Sequence, residues 1–145
     1  MNWKEEAIGK LKKFDAMRKA AYNIPQEITR LEIDAQSIRS SKTDQIRCQH
    51  GMSRREDALI NNLVYRQELQ WTLQQTQLWI RCVTGAFGAL TPEEKLILTR
   101  LYVCSEKGGV EQLCQELGVE HSSIYRKRDA ALHKFTLALY GATES

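Results

Sequence analysis

A chain of 145 residues, 42% hydrophobic and 27% charged, has room for one ordinary domain or for a small domain joined to an extended helical element. Two prolines and eight glycines, set among long stretches of Leu, Glu, Gln, Lys and Arg, predict an all-α class. The net charge of +3 is too small to announce a nucleic-acid binder, so where the charges lie matters more than their sum. Six basic and three acidic side chains fall in residues 1 to 22, five basic and one acidic in 39 to 55, and seven basic and eight acidic in 91 to 145. No apolar run approaches the roughly 18 residues of a membrane span, and the opening MNWKEEAIGKLKKF lacks the apolar stretch of a secretory signal. A cytoplasmic protein is expected. Cys48, Cys82, Cys104 and Cys114 show neither Cys-x-x-Cys nor zinc-finger spacing, which predicts reduced thiols with no metal and no cofactor.

The first helix is expected from Trp3 to about Tyr22, with Trp3, Ala7, Leu11, Phe14 and Met17 or Arg18 on one side. Asn23-Ile24-Pro25 should break it, and Pro25 suits the first turn of a second helix to about residue 39. Ile24, Ile28, Leu31, Ala35 and Ile38 recur there at alternating spacings of four and three, the pattern of a packing seam. Residues 40 to 53 have no periodicity and predict a loop. Ser53 and Glu56 form a capping box for a long helix that reaches about Phe87. Leu59, Leu63, Leu69 or Gln70, Leu73, Ile80, Val83 and Phe87 give that helix an interrupted seam, answered either by residues 25 to 39 or by a second copy. Trp71 and Trp79, eight apart, are expected on one packing face, in the core or at a dimer interface.

LTPEEKLILTRLYV opens a new unit: Thr91 caps, Pro92 takes the first helical position, Glu94 completes Thr-x-x-Glu, and Leu96, Ile97, Leu98, Leu101 and Tyr102 supply the buried side. A turn over 105 to 109 leads to a short helix over 110 to 117 that Gly118 ends, and a last helix runs from about Ser122 to about Tyr140. A helix-turn-helix needs a small residue where its helices cross, a Gly in the turn and apolar anchors on both sides. Cys114, Gly118, then Leu113, Leu117, Val119 and Ile124 fill those roles, and Ala131, Leu132, Phe135 and Leu139 continue the buried stripe. His121, Ser122, Ser123, Tyr125, Arg126, Lys127, Arg128 and Lys134 remain as DNA-binding candidates, Arg126 for base readout and the three other cations for phosphates. Their counterweights Glu93, Glu94, Glu111 and Glu116 are expected to face elsewhere. The plainer alternative is a Gly turn between two helices with a solvated basic face.

LTPEEKLILTRLY and VEQLCQELGVEHSSIYRKRDAALHKF resemble region 4 of the sigma-70 family, a promoter-reading module. The resemblance is closer still to phage and prophage late-gene regulators of the ArpU/RinA type, and there it extends to IPQEITRLEIDAQSIRSSKTD and GMSRREDALINNLVYRQEL. It implies a long coiled-coil-like helical hairpin over 1–89, for oligomerisation or partner binding, and a three-helix DNA-binding helix-turn-helix over 90–145. It implies a transcription regulator with double-stranded DNA as ligand and RNA polymerase as a candidate partner, while the seam of the long helices itself leaves a homodimer open. Carried over by position, Ser122, Ser123, Tyr125 and Arg126 face the groove. Lys127 departs from the pattern, because it falls at an apolar anchor position; either its stem packs while the ammonium reaches out, or the helix is rotated. Alternatives are a small terminase subunit and a protein-interaction module that binds no DNA.

Arg54 and Arg55, at the head of the long helix and unfavourable toward its dipole, either hold Asp44 or form a second basic, phosphate-binding patch with Arg39, Lys42 and Arg47. His50 beside Cys48 has no second ligand pair for a metal. Asp44, Glu56, Asp57 and Glu68 imitate a carboxylate cluster, but Glu56 and Asp57 are expected in the first turn of a helix, where negative charge is favoured. With no nucleophile motif either, catalysis is not expected.

Overall fold

The computed structural model describes residues 2–40 and 49–143, with the side chains of 49–53 outside that description. Among the described residues the chain is all-helical: α1 (Trp3–Ser40), α2 (Gln49–Phe87), α3 (Pro92–Leu98) running into a π-helical turn (Thr99–Val103), α4 (Gly109–Leu117) and α5 (His121–Tyr140). No described helix is long and apolar enough to cross a membrane. The chain divides into one compact unit of residues 1–18 and 78–145 and another of 19–77, a division that differs from a cut at residue 89.

In the first unit, α1 starts where the Asn2 side chain accepts from the amide of Glu5 at 3.3 Å and Glu5 and Glu6 meet the helix dipole. Ala7 and Leu11 of α1, Val83 and Ala86 of α2, and Leu90 pack with Leu98 and with Ala131, Leu132 and Phe135 of α5. This core explains the different division: the ends of both long helices are apolar on the side where α5 lies, so they belong with it. Ile97, Leu113 and Ile124 form a second cluster, covered by Leu96, Leu101, Val110, Cys114, Leu117 and Val119. Thr91 caps α3 as expected, its hydroxyl accepting from the Glu94 amide at 3.2 Å while its own amide donates to the Glu94 carboxylate at 3.0 Å. The π turn closes with the Cys104 amide donating to the Thr99 carbonyl at 2.8 Å. Gly109 then passes so close to Arg100 that a Cβ would stand 3.2 Å from its carbonyl oxygen. Gly118 ends α4 at φ 66, the left-handed region a side chain disfavours.

In the second unit the two long segments lie against each other in opposite directions, since Leu31 faces Asn62 and Arg39 faces Arg55. Ile28, Leu31 and Ala35 are the buried side chains of α1 here, as the four-three spacing predicts. The break at Asn23-Ile24-Pro25 does not occur, and α1 is one helix of 38 residues. Proline removes one amide donor and crowds the carbonyl four residues back, at a cost of about 3 kcal/mol in a helix interior. Pro25 is exposed, so water can serve the Ala21 carbonyl, while Ile28 and Leu31 continue the seam. Thr29 Oγ1 donates to the Pro25 carbonyl at 3.0 Å, bracing the same turn.

The α2 seam also differs. Leu63 is exposed, and the inward positions are Leu59, Asn62, Arg66, Leu69, Leu73 and Thr76, still at four-three spacing. Asn62 Nδ2 donates to the Leu31 carbonyl at 2.8 Å and its Oδ1 accepts from Arg66 Nε at 2.8 Å, so a polar lock occupies the position sought for a leucine. Trp71 and Trp79 do not share a face, because eight residues turn an α-helix by about 80°; Trp71 is exposed, whereas Trp79 stacks on Phe14 at 6.3 Å. α2 begins at Gln49, so Ser53 lies inside it and is no cap, Glu56 and Asp57 fall past the first turn, and Arg54 and Arg55 are not at its head. The rest of the expected loop, 41–48, lies outside the described residues.

Candidate nucleic-acid interface

The two sides of α5 have opposite tasks. Ile124, Ala131, Leu132 and Phe135 are buried, which fixes the direction in which the other side points. His121, Ser122, Tyr125, Arg126, Asp129 and His133 are exposed. From Ser122 to His133 they follow three- and four-residue spacing and make one outward stripe. Ser123 is half-buried, with its Oγ accepting from Arg126 Nη2 at 3.3 Å. Glu120 caps α5 without a side-chain hydrogen bond, and no acid stands in the first turn, so the amides of that turn keep their attraction for an anion.

The cations divide unevenly. Among the described residues no carboxylate pairs with Arg126. Lys127 Nζ bonds Glu93 Oε1 at 2.6 Å and Lys134 Nζ bonds Glu94 Oε1 at 2.9 Å. Lys127 is half-buried, and its ammonium reaches the start of α3. Arg128 donates twice to Asp129 Oδ1, at 3.1 and 3.0 Å, with its guanidinium 5.1 Å from the centre of the Tyr125 ring. His121 Nε2 stands 3.8 Å from Glu111 Oε1. The expectation that the acidic counterweights face elsewhere therefore fails for Glu93, Glu94 and Glu111. It holds for Glu116, which pairs with Arg100 at 2.9 Å. Nothing in the local spacing could reveal the first two, because Glu93 and Glu94 are brought to α5 by tertiary packing.

Two acids are held ionised by this network. Burial pushes the Glu94 carboxyl up, but the Lys134 ammonium and the Thr91 donors outweigh it and leave its pKa below the usual carboxylate range. Burial raises Asp129 too, and Arg128 and Lys4 overcome it in the same way. Asp129 is a member of the outward stripe that the residue types alone did not single out. Its three-residue step from Arg126 was the available signal. Asp129 offers a phosphate no donor, and its partners Arg128 and Lys4 are already engaged with it.

Of the second basic patch, Lys42 and Arg47 lie outside the described residues, as do Asp44 and Cys48. Arg55 donates to the Arg39 carbonyl, and Arg54 is exposed. Among the described residues no three His, Cys, Asp or Glu side chains gather to hold a metal ion. An open cavity of about 230 Å³, lined by Leu11, Phe14, Arg18, Val83, Phe87 and Val103 among others, is apolar and lies away from the outward stripe of α5. No family model, curated protein or solved structure matches the chain.

Proposed function

We propose that the chain is a sequence-specific DNA-binding regulator in which α4, the Gly118 turn and α5 act as a helix-turn-helix of the sigma-region-4 kind, with α5 entering the major groove. The observation that carries this reading is the division of α5: its apolar side is clamped in two core clusters while Ser122, Tyr125 and Arg126, which no described carboxylate pairs, stand outward beside a helix N-terminus that no side chain caps. Tyr125 is 42% exposed, with the Arg128 guanidinium 5.1 Å from its ring centre, and stands next to Arg126 on the same outward stripe. Likeness to ArpU/RinA-type phage regulators supports the same role, with the helix pair of α1 and α2 as the assembly or partner-binding part.

Arg126 is the side chain proposed for guanine readout, since no described carboxylate competes for its fork and its one side-chain bond is to the Ser123 hydroxyl. Lys127, Arg128 and Lys134 must exchange an existing ion pair for a phosphate, so each contributes less than an unpaired cation. Selection of bound sequences from random duplexes, followed by titration of the winner and a scrambled duplex, tests this. Arg126→Ala should lose about 1 to 3 kcal/mol of discrimination between the two. Lys134→Ala should weaken both alike and by less, with a shallower salt dependence. A chain that enriches no sequence and binds no duplex at low salt refutes the proposal and leaves a protein-interaction module.

A further inference from the structure

α2 carries a second stripe that its partner segment does not use. Ile60, Leu63, Val64 and Trp71 are 57%, 46%, 46% and 63% exposed. With Gln67 and Gln74, also exposed, they occupy about 100° of the helix circumference over about 20 Å of its length. From residue 60 to 74 no charged side chain interrupts this face. The seam through Leu59, Asn62, Arg66, Leu69, Leu73 and Thr76 lies on the opposite side and is closed by the Asn62 bond to the Leu31 carbonyl. Rolling α2 to hide the outer stripe would expose a hydrogen-bonded polar lock, so the stripe stays outward in a single copy.

We infer that this outer face of α2 is where a second copy of the chain docks. Two properties select that occupant. The stripe is neutral, so a strongly acidic or basic partner finds no complementary charge on it. It is also complementary to itself: the apolar side chains of one copy can cover those of the other, and each Gln67 and Gln74 amide both donates and accepts, as its counterpart requires. The four apolar side chains leave on the order of 400 Å² of apolar surface exposed, the size of the largest patch on a typical monomer, which is often a functional one. With the two glutamines and the flanking stems, about 600 to 800 Å² per copy is available, the scale of a specific two-chain interface.

The test uses the full chain without DNA, so its result does not depend on whether α5 binds a duplex. Sedimentation equilibrium from about 1 to about 100 μM should give a species of twice the 16.7 kDa chain mass. Gln67→Lys, at an exposed position, should leave helicity unchanged and raise the dimer dissociation constant by about tenfold or more, because like charges meet at the middle of the stripe. Trp71→Glu should do the same from a second site, while Ile33→Lys, an exposed apolar position on α1, should leave dimerisation as it is. A wild-type chain that stays monomeric, an assembly larger than two chains, or stripe variants that dimerise as tightly as wild type overturns the inference.

Discussion

The two compact units solve the same packing problem with different means. In the first, Leu11, Leu98, Leu132 and Phe135 are almost wholly buried in one apolar cluster. In the second, the seam closes over Ile28, Leu31 and Ala35 on one side, while Asn62 and Thr76 are the buried residues of the other. An apolar cluster stabilises strongly and tolerates small shifts; a buried amide stabilises less but accepts only one register. The difference teaches that the first unit is held by amount and the second by position.

Phe135→Ala should break the comparison most severely. It empties the centre of the first cluster at a cost of about 3 to 5 kcal/mol, read as a fall in the urea midpoint. Asn62→Ala should cost less, about 1 to 2 kcal/mol, chiefly because it leaves a gap in the buried seam. Asn62→Leu should recover that loss, since an apolar side chain suits the site, while helix hydrogen exchange becomes heterogeneous as alternative registers open. Equal midpoints for the alanine and leucine variants would contradict a register lock.

The smallest effect concerns pH. The lowered Glu94 pKa means that its tie to Lys134 stabilises the fold fully above its ordinary value of 4.5 and is lost as pH falls through the lowered one. The contribution should be on the order of 0.5 kcal/mol, because Lys134 remains half exposed to water. Glu94→Gln should flatten the acid limb of a stability-against-pH curve, which thermal melts at pH values below and above that range would reveal.

What could be read in the sequence was whatever neighbouring residues decide. Thr91, Pro92 and Glu94 are three residues apart at most and fix the start of α3 between them, and Gly118 needs only its own missing side chain. The four-three spacing of Ile28, Leu31 and Ala35 also survived, because periodicity along one helix defines its inner face. Pro25 misled because its penalty is real but affordable at an exposed position of a helix whose seam continues past it. Leu63 misled in another way: choosing the most apolar residue at each turn shifted the seam by one position, whereas the structure puts Asn62 inside, opposite the Leu31 carbonyl. On α5 the burial pattern was legible, but the state of its cations was not, since Glu93 and Glu94 belong to another helix.

Those two acids have a mechanical effect. Lys127 and Lys134 sit seven positions apart, about 10 Å along α5, yet both are moored to adjacent residues at the start of α3. Two tethers at different heights resist twisting about the long axis in a way that a single one does not. The buried side chains of α5 set its azimuth, and this pair of glutamates adds a modest restraint against rotation away from it.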